Sequence, residues 1–188
     1  MICVVCERLS IRCICKKCQE VFLRIYPTSR TEGRIKVYSF YRYEDISFLL
    51  KSKYYAIGSR VYKILAQKIA QYFFEKNGKQ PCKIFSVGID DVIKNGYSHT
   101  SIILHAFRKS FTPIYGELRA RNSIQYAGKS LEFRKNNPKG LCYCSGARDL
   151  VVFDDIITTG TSMLEAHEVI SANGGNFLYG ITLCDARN

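Results

Sequence analysis

The sequence predicts an α/β protein, a mostly parallel sheet flanked by helices, joined to a small cysteine-rich module at the N-terminus. Three observations predict it. Through residues 83–184, short apolar runs alternate with segments of helical periodicity, the order that right-handed βαβ connections require. One of those runs, Leu150 to Phe153, leads straight into two carboxylates and a hydroxyl-rich turn. Near the start, Cys3-x-x-Cys6 and Cys15-x-x-Cys18 bracket an eight-residue connection, with Cys13 as a spare thiol between them.

At 188 residues the chain can bury one full α/β core and carry an appendage. Lys and Arg number 28 against 16 Asp and Glu, a net charge of +12. The excess is uneven: residues 1–40 hold eight basic and three acidic side chains, and residues 119–139 hold six and one. A field of that sign favours phosphate-bearing partners, whether nucleotide, nucleic acid or anionic membrane. The Tyr38 to Tyr43 cluster, YSFYRY, suits either base stacking or strand core. No apolar run reaches 18 residues, so no transmembrane helix is expected. The opening MICVVCERLS lacks the pattern of a secretory signal, so a cytosolic location is expected. In that compartment nine cysteines are not a disulfide framework.

Two CxxC knuckles at short range suit a tetrahedral Zn2+ site, which replaces a hydrophobic core in a segment too short to have one. Cys3, Cys6, Cys15 and Cys18 are the expected ligands, with Cys13 able to substitute for one of them. The module would stabilise the N-terminus and present Arg8, Arg12, Lys16 and Lys17 to a polyanion. With a linker after Pro27, it occupies residues 1–33, and the α/β domain occupies 34–188.

In the α/β domain, residues 34–43 alternate as a strand, and residues 45–54 form a short helix with Ile46, Leu49 and Leu50 on one face. Ser59 is placed to cap a longer helix, with apolar residues from Val61 to Phe73 at helical spacing, that stops at Asn77-Gly78. Lys83 to Ile89 reads as a strand, and Ser98 caps a helix through Phe107. Residues 112–118 form another strand, and a helix from about Ser123 to Phe133 precedes an exposed basic loop. Residues 176–184 are the last strand. His99, His105 and His167 are expected as surface or packed histidines, and Cys142 and Cys144 as unliganded thiols.

Candidate chemistry concentrates between Leu150 and Glu165. The strand ends in Asp154 and Asp155, then Thr158, Thr159, Gly160, Thr161 and Ser162 lead into a helix that stops at Gly174-Gly175. Backbone N–H groups at a helix start have no intrahelical partners and sit at the positive end of its dipole, so they receive a phosphate. Gly160 lets the backbone approach it. Two carboxylates suit ribose hydroxyls, directly or through a divalent cation. In a parallel sheet, ligands gather beyond the carboxyl ends of strands, which brings Ser86, Val87 and Gly88 towards the acid pair. Arg134 and Lys135 are placed to close over an anionic ligand.

VVFDDIITTGTS resembles the phosphoribosyl pyrophosphate motif of type I phosphoribosyltransferases. The double CxxC, YRYEDISFLLK and RNSIQYAGKSLEFRKNN resemble the ComF/ComFC family of competence proteins across nearly the whole chain. That resemblance implies a type I phosphoribosyltransferase-like domain behind a structural zinc module. It implies phosphoribosyl pyrophosphate with Mg2+ as ligand, Asp154 and Asp155 on the ribose hydroxyls, and Thr158 to Ser162 on the 5′-phosphate. Ser86 to Gly88 match the pyrophosphate-side loop, and Arg134 falls in the mobile loop. A role in natural transformation follows, with single-stranded DNA and the uptake machinery at the inner membrane as partners. The protein would then be cytoplasmic and associated with the inner face of that membrane. The alternative is a metabolic phosphoribosyltransferase that transfers phosphoribosyl to a base or amine and releases pyrophosphate. Purine-salvage members carry DDIIDTG, with an acid where this sequence has Thr158, so the usual base catalyst is missing here.

Overall fold

A computed structural model describes residues 1–78, 84–90, 96–122, 139–146 and 148–187. In chain order, these residues form α1 (Lys16–Phe22), β1 (Thr28–Glu32), β2 (Ile35–Arg42), α2 (Tyr43–Leu50), a 3-10 turn (Lys51–Tyr54) and α3 (Gly58–Asn77). There follow β3 (Phe85–Gly88), α4 (His99–Ala106), β4 (Thr112–Ile114), β5 (Leu118–Ala120), β6 (Leu141–Tyr143), β7 (Asp149–Ile157), α5 (Thr161–Ala172) and β8 (Asn176–Asp185).

Six strands form one sheet in the order β1-β2-β8-β7-β3-β4, and β5 pairs with β6 in a separate ribbon. Every pairing in the large sheet is parallel except β1 with β2. This is the expected α/β architecture, with helices on both faces of a mostly parallel sheet. Side chains along β7 alternate between two cores. Val151 and Phe153 pack with α2, α3 and α4, against Leu65, Ile69, Leu104 and Phe107. Leu150 and Val152 pack with α5, against Met163, Ala166 and Ile170. Because the period is two, Asp155 continues the Phe153 side and Asp154 the Val152 side.

The N-terminal module shares the first core: Cys3, Cys13, Ile14, Cys18 and Leu23 pack in one cluster with Phe40, Tyr41 and Leu49.

Four local expectations are corrected. The polar stretch after Pro27 is not a linker but the edge strand β1, paired with β2 from Thr28↔Ser39 to Glu32↔Ile35 across a turn at Gly33. Its polar composition reflects an edge open to solvent, with Thr28, Ser29 and Thr31 exposed. The acid pair does not end β7, because parallel pairing with β8 runs on through Asp154↔Thr182 to Ile157↔Asp185. Ser59 does not cap α3; Ile57 holds that position and the Ser59 hydroxyl donates to the Ala56 carbonyl at 3.3 Å. Residues 112–118 divide into β4 and β5, which belong to different sheets, with Gly116 at φ 70 between them. Ser98 does cap α4, accepting from the Ser101 N–H at 3.0 Å. The helix expected over 123–133 lies outside the described residues.

No helix among the described residues is long and apolar enough to cross a membrane.

Candidate ligand site

β7 carries the acid pair to the carboxyl edge of the sheet. Residues 158–160 then turn the chain into α5, with Gly160 at φ 77 immediately before the first helical residue. Thr159 and Thr161 hydroxyls lie 2.9 Å apart at this turn. The left-handed backbone at Gly160 favours glycine, and so does its neighbour: a Cβ there would stand 2.9 Å from Glu32 Cγ. The hairpin lying against the loop is thus a further reason for a glycine at this position.

That hairpin clasps the loop through charge. Arg30 donates to the Thr158 carbonyl at 2.8 Å and to Asp185 Oδ1 at 2.9 Å, and its Nε lies 2.9 Å from Glu32 Oε1. Arg187 reaches the same Glu32 oxygen at 2.9 Å. The planar guanidinium of Arg30 thus ties β1, the loop after β7 and the end of β8 together.

The two acids are turned to different surroundings. Asp155 is buried, and its Oδ2 accepts from Lys53 Nζ at 2.9 Å and from the Tyr62 hydroxyl at 2.8 Å. His99 Nε2 lies 3.8 Å from that oxygen. Burial pushes the Asp155 carboxyl up. The Lys53 ammonium, His99 and the Tyr62 hydroxyl more than offset this and hold it well below the usual carboxylate range. Burial alone would lower Lys53, but Asp155 beside it keeps its pKa above the usual lysine value. Burial and the Asp155 charge both push Tyr62 well up, so it donates as a neutral phenol. Asp154 Oδ1 accepts from the backbone N–H of Asp155 at 2.8 Å.

His99 is a correction. No sequence motif linked it to an acid, yet it opens α4 directly beside Asp155, and its ring stands edge-on to Tyr62 with centroids 5.5 Å apart. Lys53 and Tyr62 carried no sequence sign at all. Helical spacing marked only the apolar face of α3, and Lys53 lies in a 3-10 turn.

Ser86, Val87 and Gly88 are buried inside β3 and pair with Val151, Val152 and Phe153, one step below the acids. Gly88 serves helix packing, because a Cβ there would meet Thr100 Cβ at 2.9 Å. Beyond the strand, Asp90 accepts from the Ser98 and Thr100 hydroxyls and fixes the start of α4, hence His99. Arg134 and Lys135 lie outside the described residues. Residues just after that segment return against α5, where Glu165 accepts from the backbone N–H groups of Lys139 at 3.1 Å and Leu141 at 2.8 Å.

In the N-terminal module, ligand atoms of Cys3, Cys6, Cys15 and Cys18 all lie within 4.8 Å of one another. Cys13, buried nearby, is not one of the four. Cys3 Sγ accepts from the Cys15 N–H at 3.3 Å. Burial pushes the Cys3 thiol up, but hydrogen bonds from the backbone of Cys15, Cys6 and Val5 bring it down to about 6. Burial and the neighbouring thiols push Cys18 up to about 12, and four sulfurs this close are the donor set that a tetrahedral metal takes.

The fold and site together define an α/β protein with an acid pair and a helix-start loop at the carboxyl edge of a parallel sheet. No family model and no curated protein matches the sequence. Solved structures with a similar course include a hypoxanthine phosphoribosyltransferase from Staphylococcus aureus, at 15 % identity and TM-score 0.39 over 66 % of this chain. The chain spans 62 % of that protein's length. Adenine phosphoribosyltransferase from Saccharomyces cerevisiae matches at 14 % identity and TM-score 0.41, over 89 % of this chain and 88 % of that one. A hypoxanthine-guanine phosphoribosyltransferase from Bacillus anthracis matches at 12 % and 0.41, over 66 % and 68 %.

Proposed function

We propose that the protein binds phosphoribosyl pyrophosphate at the carboxyl edge of β7. The observation that carries this reading is the unbroken course from Asp154 and Asp155 through Thr158 to Gly160 into the start of α5. Carboxylates accept from the ribose hydroxyls. The hydroxyls of Thr158, Thr159, Thr161 and Ser162, with N–H groups of the first turn, take the 5′-phosphate. The pyrophosphate lies towards the exit of β3, with the backbone beyond Ser86, Val87 and Gly88 and the Arg134 segment as its partners. Mg2+ accompanies the pyrophosphate. Calorimetry with phosphoribosyl pyrophosphate and Mg2+ tests this on wild type and Asp154→Ala; equal affinity in the two removes the assignment.

Zn2+ on Cys3, Cys6, Cys15 and Cys18 fits the four-sulfur group. It would supply structure alone: with four thiolates, no position stays open for a substrate.

The cysteine module joined to the cradle, and the +12 charge, support a ComF-like role in natural transformation. On this reading the basic segments contact single-stranded DNA during uptake, in the cytoplasm at the inner face of the membrane. Affinity for single-stranded DNA then falls steeply with salt, and charge reversals within 119–139 flatten the slope. Normal transformation in a clean deletion strain excludes the role.

A metabolic phosphoribosyltransferase is the second reading. His99 favours it by placing an imidazole at the acid pair, where the sequence offered only Thr158. It requires pyrophosphate release with some base or amine acceptor, and none across a broad panel counts against it.

A further inference from the structure

His99, Asp154 and Asp155 bring three ligand atoms within 4.8 Å of one another. By residue type, an imidazole and two carboxylates make a divalent-cation site, and sequence reasoning left open whether the acid pair meets a ribose directly or through such an ion. A fourth group decides against the ion. Lys53 Nζ stands 2.9 Å from Asp155 Oδ2, and an ammonium has donors only. A divalent ion bound to that oxygen at about 2.1 Å would lie within about 5 Å of the ammonium, in a largely buried setting where like charges are poorly screened. The same oxygen already accepts from Tyr62.

Lys53 is also built into place. The Lys53 carbonyl accepts from the Tyr97 hydroxyl at 3.1 Å. A Cβ on Gly58 would stand 2.1 Å from both the Ser52 carbonyl oxygen and the Tyr97 hydroxyl, so the 3-10 turn is wedged against the start of α3. Swinging Lys53 away would leave a buried carboxylate without its counter-charge.

We propose that Lys53 is the resident cation of this cluster, so that the acid pair holds no divalent ion of its own. Resting on the phosphoribosyl pyrophosphate reading, it follows that the ligand meets an Asp155 whose counter-charge is already in place. Lys53 is then a positioning residue: it fixes the charge and orientation of Asp155.

The test is Mn2+ titration of the zinc-loaded protein without nucleotide, read by the loss of the free-ion electron paramagnetic resonance signal. Wild type takes up no Mn2+ below the millimolar range. Lys53→Met takes up about one ion at least about tenfold more tightly, because the like charge is gone. Lys53→Arg behaves as wild type, and Asp155→Asn added to Lys53→Met abolishes the uptake. Wild type binding Mn2+ as tightly as Lys53→Met, with Asp155→Asn weakening it, overturns the proposal. So does a folded Lys53→Met that takes up none. If Lys53→Met does not fold, Asp155→Asn in the otherwise unchanged chain decides, since a loss of Mn2+ uptake there means the cluster was open to the ion. Calorimetry that shows no phosphoribosyl pyrophosphate binding, beside the expected Mn2+ result, removes the ligand reading and leaves the role of Lys53 standing.

Discussion

Lys53 and Asp155, 102 residues apart in sequence, meet at 2.9 Å within the candidate site. The pair is largely buried, so removing one partner leaves the other uncompensated. Lys53→Met is expected to cost about 3 kcal/mol, the lower end for such a loss. The pH dependence has a definite sign. The folded pKa of Asp155 is depressed, so its contribution is full above the ordinary aspartate value of about 3.9 and is lost as pH falls through the folded value. Lys53 is raised, so its contribution is full below about 10.4 and is lost as pH rises through its folded value. The gap in melting temperature between wild type and Lys53→Met should be wide at neutral pH and narrow in acid. A gap that stays the same at pH 3 sinks the assignment.

Arg30 makes three contacts from one planar group, to Asp185, the Thr158 carbonyl and Glu32. Arg30→Ala should lower stability by about 2–4 kcal/mol, because Asp185 is buried and loses its guanidinium. Lysine has a single point of charge and cannot bridge all three. Urea unfolding of Arg30→Lys is therefore expected to resemble Arg30→Ala; full recovery in the lysine variant speaks against the clasp.

Gly160→Ala combines a left-handed backbone with a close approach to Glu32. The backbone alone should cost about 1–2 kcal/mol. Adding Glu32→Ala relieves the contact and leaves the backbone cost, so the double variant should recover only part of the melting temperature. An unaffected Gly160→Ala would mean that the turn differs from the one described.

The cysteine group makes a stoichiometric prediction. Metal analysis should find about one zinc per chain in wild type and in Cys13→Ser, and a substoichiometric amount in Cys3→Ser or Cys18→Ser. Chelation should lower the melting temperature, because binding and folding of so short a segment are linked. Cys13→Ser losing its metal while Cys3→Ser keeps it would reassign the ligands.

Much of this was legible from the residues in order. The parallel sheet followed from alternating periodicities, the acid pair and its loop from a strand running into DDIITTGTS, and the four sulfurs from two CxxC spacings. Each is a local pattern: neighbouring residues share one element, so spacing alone sets which side chains come together. The Ser98 cap followed for the same reason. Where local composition misled, long-range pairing had overridden it. The stretch after Pro27 is polar like a linker, yet β2 gives it a strand to pair with. The acid pair looked like the end of β7, yet β8 continues beside it.

What the acids face was decided by tertiary structure. The period of two along β7 turns Asp155 towards α3 and α4, a fact present in the sequence but meaningless until the cores on each side are known. Lys53, Tyr62 and His99 come from three separate segments and are brought to one carboxylate oxygen by the packing of helices on the sheet. No spacing connects them, because the chain between them is absorbed in elements with roles of their own. The sequence by itself determined that two carboxylates and a helix-start loop would stand at the edge of a parallel sheet. Only the tertiary structure decided that one of those carboxylates already has a cation, because a buried charge is settled by whatever group the fold can deliver to it.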